Sequence, residues 1–338
     1  MLEVVEKQQK GFGLSMMTQF SRRTLLVGTA LAAGAVSGSG RANSPIVKDQ
    51  VPGLYRYRLG SFELTALNDG VWQLPIDAAF VPNAPWAKVQ EAMIDAFMPA
   101  TDHLALPFTA LLVNTGSKLI LIDTGTGGQI TPTAGLLASN LKAAGTTPDA
   151  IDAVVITHFH PDHINGLKTK DDALVFPNAE IFVPEPEWVF WTDEANLRAA
   201  SDAVKNYFLN VRRIFGQLTK DVHRYRPGAE LLPGIVAVFA PGHTPGHHAI
   251  ALASDNQSML VLSDTSTHPA LFVRHPEWSV AFDLDAAAAV KTRKKLLDQV
   301  AAERMLVAGY HFPFPACGHI AKTATGYEFY PAQWSPQL

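Results

Sequence analysis

The segment 158–163 reads His-Phe-His-Pro-Asp-His and holds four side chains that can bind a metal within six residues. It directly follows residues 153–157, an apolar run that predicts a buried strand. Alternate side chains of an extended segment share a face, so the first two histidines are expected to point together while Phe159 points the opposite way. The proline predicts a turn, after which the aspartate and the third histidine face back across the gap. The segment therefore predicts two neighbouring metal sites at the end of a strand.

Two metals need more ligands than this segment holds, and three later residues are candidates. Each follows an apolar run that predicts a strand: His243, Asp264 and His311. An isolated histidine in such a position is more often a structural residue held by a hydrogen bond. The occurrence of all three in this order favours metal ligands instead.

Composition limits the kind of metal site and the class of protein. The chain has twelve histidines and a single cysteine, Cys317, so imidazole and carboxylate groups must bind any metal, and an internal disulfide is excluded. The formal net charge is −4, and no block of five or six like charges occurs. A nucleic-acid-binding protein normally has a basic face, so that class is disfavoured.

The remaining pattern alternates strands and helices. Strands are predicted over residues 55–59, 62–67, 110–114, 118–123, 153–157, 180–183, 236–240, 259–263 and 305–308. Helices are predicted over residues 136–144, 186–191, 195–218 and 286–300. Both halves run from strands to helix to strand, and no linker-like stretch divides them. This order favours one α/β domain of two sandwiched sheets with helices outside.

Residues 1–42 are predicted to be a cleaved leader. A twin arginine, Arg22 and Arg23, precedes an apolar run of about a dozen residues, which is too short to span a membrane. Small residues then precede a cleavage position after Ala42. The pattern is typical of the Tat export machinery and predicts a periplasmic or secreted protein without a stable membrane anchor. Residues 43–338 would form the single mature domain.

These motifs together resemble the metallo-β-lactamase superfamily. The resemblance rests on the 158–163 segment, the Gly-His-Thr-Pro-Gly-His segment 242–247, the strand-end aspartate and the late histidine. Segments 67–70 and 121–125 also resemble early motifs of that family. The resemblance implies an αββα sandwich with a binuclear metal centre at one edge of the sheets. It implies that His158, His160 and His243 bind one metal and Asp162, His163 and His311 the other, with Asp264 bridging both.

The same resemblance implies further roles around the centre. Asp123 and Asp69 would stand behind the ligands, where a carboxylate orients an imidazole; for Asp123 a turn-capping role is an equal alternative. Asp162 and Asp264 are the candidate catalytic residues. The metals are expected to be zinc, with manganese, cobalt and iron as alternatives. A homodimer is expected as well.

Within the superfamily, residues 55–69, 112–125, 140–145 and 312–326 resemble methyl parathion hydrolase and its exported relatives. This implies that a metal-bridging hydroxide cleaves organophosphate triesters such as aryl dialkyl phosphates. The alternative is a lactonase or carboxylesterase with promiscuous phosphotriesterase activity. Acyl-homoserine lactonases carry a tyrosine three residues beyond the bridging aspartate, where this chain has Thr267. That departure weighs against a lactonase for signalling molecules.

The substrate pocket is predicted from aromatic residues near these motifs: Phe159, Trp188, Trp191 and Phe282. An aromatic cluster of this kind is more often part of the core. No role is assigned to the other histidines of interest: His247, His248, His268, His275 and His319. A flavin-linked diiron oxidoreductase is disfavoured because His160 stands where those proteins have an acid. A mononuclear glyoxalase-type or persulfide-type relative remains an alternative.

Overall fold

The computed structural model describes residues 46–48, 50–99, 101–216, 218 and 222–337. The helices and strands of the described residues lie in the unit that runs from Gln50 to the C-terminus. The leader predicted at residues 1–42 lies outside the described residues. Within the described part of the chain, no helix is both long enough and apolar enough to cross a membrane.

The described residues form two sheets of seven strands each. The first sheet has the order β1 to β7: Leu54–Leu59, Phe62–Pro75, His103–Asn114, Leu119–Ile122, Ala153–Val155, Glu180–Pro184 and Val222–Tyr225. In the second sheet, neighbouring strands also follow one another in the chain, from β8 at one edge to β14 at the other. Strands β8 to β14 are Glu230–Leu232, Ile235–Phe239, His248–Ser254, Gln257–Ser263, Leu306–Gly309, Cys317–Lys322 and Tyr327–Pro331. Strands β4 to β7 are mutually parallel, and so are β11 and β12. Parallel strands place their carboxyl ends at the same edge of a sheet, and this edge carries the candidate site.

Helices cover the outer faces of both sheets. In chain order they are α1 to α7: Trp86–Asp95, Leu137–Ala143, Pro161–Ile164, Glu185–Thr192, Glu194–Ala199, Asp202–Phe215 and Ala286–Ala302. One apolar cluster joins the inner faces of the two sheets. A second packs α2, α4 and α6 on the first sheet, and a third packs α7 on the second sheet. The fold is therefore the αββα sandwich that the sequence predicts.

The helix predicted over residues 195–218 is two helices in the structure. The side chain of Asp193 accepts hydrogen bonds from the backbone N–H groups of Ala195 and Asn196, and so caps the start of α5. The chain is extended at Ala200 and Ser201, and α6 begins at Asp202. The predicted apolar face survives in α6, where Phe208, Val211 and Phe215 are among the buried residues.

Strand β2 is longer than the sequence predicts because it contains a bulge. Its register with β3 shifts between Asn68 and Gly70, and pairing then continues to Pro75. Gly70 lies at φ 138°, and a Cβ there would lie 2.3 Å from the carbonyl oxygen of Thr133. A glycine is required at this point of the strand. The extension carries Trp72 towards the edge that holds the candidate site.

Candidate metal centre

The structure brings together all seven residues that the sequence singles out as metal ligands. The first sheet supplies four of them, which lie just after β5 and in α3: His158, His160, Asp162 and His163. The second sheet supplies three, which follow β9, β11 and β12 respectively: His243, Asp264 and His311. All are buried except Asp162, which is partly exposed. The candidate site therefore spans the edge where the two sheets meet.

The seven side chains form two groups of converging ligand atoms. One group contains His158, His160, His243 and Asp264, and the other contains Asp162, His163 and His311. Within each group, every ligand atom lies within 4.8 Å of the others. In the first group, His160 Nδ1 and His243 Nε2 are only 2.9 Å apart.

Asp264 faces both groups at once. Its Oδ1 lies 3.2 Å from His163 Nε2. Its Oδ2 lies 3.2 Å from His243 Nε2 and 3.1 Å from His311 Nε2. A carboxylate between two sets of imidazoles is the arrangement that a bridging ligand requires.

The donor atoms fit divalent metal ions. The Nε2 atoms of His158 and His163 are buried, and neither makes a well-aligned hydrogen bond among the described residues, although Asp264 Oδ1 lies 3.2 Å from His163 Nε2. A buried polar atom without a partner costs about 1–3 kcal/mol, so a fold keeps such atoms together only for a ligand. Imidazole and carboxylate groups bind zinc and neighbouring first-row metals. The two groups thus form a binuclear site for divalent metals.

Hydrogen bonds from three separate segments hold the ligand imidazoles in place. Asp123 Oδ2 lies 2.8 Å from His163 Nδ1, and Asp283 Oδ1 lies 3.0 Å from His243 Nδ1. His311 Nδ1 donates to the carbonyl oxygen of Pro107 at 2.9 Å. In each ring the Nε2 atom is left free to face the centre, since Nδ1 is used.

Asp123 and Asp283 differ in how well the sequence indicates them. Asp123 also accepts hydrogen bonds from the N–H and hydroxyl groups of Thr157, so it both orients a ligand and fixes the segment that carries it. The side chain of Asp283 is fully buried and lies 3.4 Å from Arg293 of α7. It lies in a loop without periodicity or motif, so the sequence does not indicate it.

Asp69 does not orient a ligand imidazole, contrary to the prediction. Its Oδ2 accepts hydrogen bonds from the N–H and hydroxyl groups of Thr126, and its Oδ1 accepts one from the N–H of Leu137. It makes no hydrogen bond to any of the seven candidate ligands in the part of the chain that is described. The bulge in β2 turns this side chain towards the loop before α2, which it organises.

The candidate ligands include imidazoles of two kinds. Burial lowers the pKa of His158 well below its ordinary value and that of His160 to about 3, so both are neutral. Although burial lowers it too, the pKa of His243 is raised to about 9 by the carboxylates of Asp264 and Asp283. The three carboxylates around His163 likewise raise its pKa well above the ordinary range. Metal binding must therefore displace protons from part of the site.

A cavity of about 190 Å³ opens beside the metal ligands. Its floor includes five of the seven, together with Pro161, and its walls are mainly apolar: Trp72, Leu106, Phe108, Ile130, Tyr207 and Phe282. Phe282 is thus a wall residue, as predicted. Most of the other wall residues lie in the extensions of β2 and β3, where the sequence pattern predicts no strand.

Phe159, Trp188 and Trp191 are not wall residues, and their assignment to the pocket is wrong. All three are buried in the cluster between the first sheet and its helices. Phe159 stacks on Phe215 with 4.6 Å between ring centroids. The pleat that points the two histidines to the centre turns the phenylalanine between them towards the helices.

His247 is one of the histidines without a predicted role, and it supports the centre. It is fully buried, and its Nδ1 donates to the carbonyl oxygen of Ala240 at 3.0 Å. Its Nε2 accepts a hydrogen bond from the backbone N–H of Asp264 at 3.1 Å. The ring therefore fixes the main chain of the residue that faces both metal groups.

Two other histidines without a predicted role, His248 and His268, are expected to make the fold less stable in acid. Burial lowers the pKa of His248 to about 4 and that of His268 to about 3, against about 6.5 in an unfolded chain. Below pH 6.5 the unfolded state gains protons that the folded state does not bind, so stability present above pH 6.5 is lost as the pH falls. At pH 5.5 each group should lower the free energy of unfolding by about 1.4 kcal/mol.

Denaturant unfolding at pH 7.5 and 5.5 measures this effect. The parent protein and the variants His248→Asn and His268→Asn should be compared. Between pH 7.5 and pH 5.5, the free energy of unfolding of each variant is expected to fall by about 1.4 kcal/mol less than that of the parent. Equal losses in parent and variants would contradict the prediction.

Comparisons with known proteins agree in fold and chemistry. Residues 106–311 match the sequence profile of the metallo-beta-lactamase superfamily. The N-acyl homoserine lactonase of Bacillus cereus is 23% identical over 251 residues, which cover 68% of this chain and 90% of that protein. The corresponding lactonase of Bacillus thuringiensis is 26% identical over 252 residues, with the same coverage.

Solved structures give a closer likeness. AidC, a dizinc quorum-quenching lactonase in complex with the product N-hexanoyl-L-homoserine, has a TM-score of 0.80 and 29% identity, and the match covers 85% of this chain and all of that one. The hydrolase AbOPH, described as a member of the beta-lactamase superfamily, gives the same values. The narrower resemblance to methyl parathion hydrolase gains no support from these relatives.

Proposed function

Because the chain belongs to the metallo-β-lactamase superfamily and is a metal-dependent hydrolase, we propose that it opens the lactone ring of N-acyl homoserine lactones. The observation that carries the proposal is the cavity beside the metal centre. Its floor is polar, and its walls are mainly aromatic and aliphatic. This suits a substrate that has a hydrolysable ester at one end and an apolar acyl chain at the other.

The relatives favour a lactone over a phosphotriester. AidC, at 29% identity over 85% of this chain, is a lactonase with its product bound. The two Bacillus lactonases match 68% of the chain. A lactonase is therefore preferred here to the phosphotriesterase that the sequence motifs suggest.

Thr267 does not take the place of the tyrosine that acyl-homoserine lactonases carry at this position. Its hydroxyl is buried and does not reach the cavity, so it cannot contact a substrate. Tyr207 brings a phenol to the cavity wall from α6 instead. Among the described residues that line the cavity, Tyr207 and Trp72 are the side chains that can donate a hydrogen bond and are not candidate metal ligands. We expect the Tyr207 hydroxyl to donate to an oxygen of the bound lactone.

The chain would hold two zinc ions through the seven residues described, and the bound ions supply Lewis acidity and lower the pKa of water. His163, His243 and His311 are held by Asp123, Asp283 and the carbonyl of Pro107, so their rings need no reorganisation during the reaction.

Asp162 is suited to moving a proton. Its Oδ2 lies 3.4 Å from both His163 Nε2 and His311 Nε2, and the side chain borders the cavity. Although burial opposes it, the neighbouring imidazoles lower the pKa of Asp162, which keeps the carboxylate ionised. It would accept a proton from the attacking water and return it to the departing alcohol oxygen.

The test is a comparison of kcat/KM for N-hexanoyl-homoserine lactone and for an aryl dialkyl phosphotriester, with the purified protein loaded with two zinc ions. The lactone is expected to be preferred by about 100-fold or more, which is about 2.7 kcal/mol of transition-state binding. The Asp264→Asn variant measures background lactone opening. A preference for the phosphotriester, or no lactone hydrolysis with both metals bound, would overturn the proposal.

A further inference from the structure

Glu187 is a fully buried carboxylate that the proposed chemistry does not use. It lies in the first turn of α4, and its side chain has no exposed surface. Its Oε2 accepts hydrogen bonds from the backbone N–H of Phe159 at 2.9 Å and from the indole N–H of Trp191 at 2.8 Å. Its Oε1 accepts one from the backbone N–H of Gly246 at 2.7 Å. Three donors thus converge on one carboxylate.

The two backbone donors belong to the two loops that carry the first group of metal ligands. Phe159 stands between His158 and His160 in the loop that follows β5 of the first sheet. Gly246 stands three residues after His243 in the loop that follows β9 of the second sheet. A single side chain therefore joins both loops at positions next to the ligands.

The contact with the second loop is close enough to require a glycine. A Cβ at position 246 would lie 2.3 Å from the backbone nitrogen of Glu187 and 2.9 Å from its Oε1. Any larger residue would move the loop away from α4. A backbone hydrogen bond from His248 to the carbonyl of Thr157, at 3.1 Å, also joins the two segments. On the second segment it lies five residues after His243, whereas Gly246 lies three residues after it.

The energetics do not favour Glu187 as a packing residue. Burial raises its pKa, while the hydrogen bonds it accepts oppose that rise. No Lys or Arg in the described part of the chain forms an ion pair with it. A buried charge without a cation is costly, and an apolar residue of similar volume would fill the space at lower cost. The retained carboxylate must therefore act through its three donors.

We propose that Glu187 is a positioning residue that clamps the two ligand loops together, so that His158, His160 and His243 converge on one metal ion. The clamp sets the separation of the ligand rings on the two loops. His160 Nδ1 and His243 Nε2, one from each loop, lie 2.9 Å apart. The second group of ligands, Asp162, His163 and His311, is held by other contacts. The inference rests on the binuclear centre and is independent of the substrate proposed above.

The test measures metal affinity in the variant Glu187→Gln. Glutamine keeps one oxygen acceptor but faces the other donor with an amide NH₂, so one loop loses its hydrogen bond. Competition with a chelator of known zinc affinity is expected to show a loss of about ten- to a hundredfold in affinity for one of the two ions. Affinity for the other ion is expected to remain within about threefold of the parent.

Two variants serve as controls. Trp191→Phe removes the indole donor and leaves both loop hydrogen bonds in place, so both ions should bind as in the parent. Leu297→Ala, in the cluster under α7, lowers stability at a position remote from these loops. This control shows whether a loss of stability by itself lowers the affinity for zinc.

The outcomes are distinct. A folded Glu187→Gln protein that binds both ions with the affinity of the parent would overturn the proposal, whatever its melting temperature. If that variant does not fold, Glu187→Asp keeps the charge and shortens its reach, and the same affinity measurement applies. Failure of both variants to fold would assign Glu187 to folding alone and would also overturn the proposal. Because the readout is metal binding, an error in the substrate assignment leaves the result unaffected.

Discussion

Replacing Asp264 by asparagine is expected to lower kcat/KM by about a thousandfold or more and to reduce the zinc content below two ions per chain. Its two oxygens lie within 3.2 Å of imidazole nitrogens from both ligand groups. An amide offers one oxygen and no charge, so it cannot serve both groups. The backbone of the residue is held independently by His247, and the fold should survive the change.

Metal analysis of the purified variant, together with circular dichroism and steady-state kinetics, checks this expectation. Asp255→Asn is the matched control, because Asp255 lies exposed in the turn before β11, at the opposite end of the same strand. The control should keep two zinc ions and the activity of the parent. An Asp264→Asn protein that retains both ions and at least a tenth of the activity would contradict the assignment of this residue as the bridge.

Removal of the metals is expected to lower the melting temperature by about 10 °C or more. Four ligands come from the first sheet and three from the second, so the ions link the two halves of the sandwich. A ligand that binds only the folded state adds about 4 kcal/mol of stability for each site at a thousand times its dissociation constant. For a chain of this size, each kcal/mol corresponds to about 2–4 °C.

Calorimetry at a series of buffered free zinc concentrations provides the measurement. The melting temperature should rise steadily with free zinc and fall to a plateau in excess chelator. Refilling the chelated protein should restore both the melting temperature and the activity. A melting temperature that does not depend on free zinc would show that the ions do not bridge the sheets.

The candidate metal ligands could be found from the sequence because they are carried by short motifs at strand ends. The segment 158–163 contains four of them, and the pleat rule correctly turns Phe159 away from the rest. Asp283 and Glu187 could not be found in this way. Each acts on a ligand loop that is distant in sequence, and only the folding of the chain brings the two together.

Apart from Phe282, the cavity walls could not be predicted from the sequence either, for a different reason. Trp72, Leu106 and Phe108 lie in extensions of β2 and β3 whose pairing continues past a bulge. A bulge reverses the side-chain alternation that sequence patterns rely on. The export of the chain through a leader at residues 1–42, its homodimeric state and the choice of zinc stay predictions.

The division between floor and walls has a consequence for how such an enzyme can change over evolutionary time. The apolar walls come from β2, β3, the loop at Ile130, α6 and the loop at Phe282, none of which supplies a metal ligand. A mutation at Trp72 or Ile130 can therefore reshape the space for the substrate and leave the residues that hold the ligand imidazoles in place. Leu106, Phe108 and Phe282, in contrast, adjoin Pro107 and Asp283, which hold His311 and His243. New substrate ranges can be reached by single, independently tolerated substitutions, and the hydrolytic chemistry is inherited unchanged.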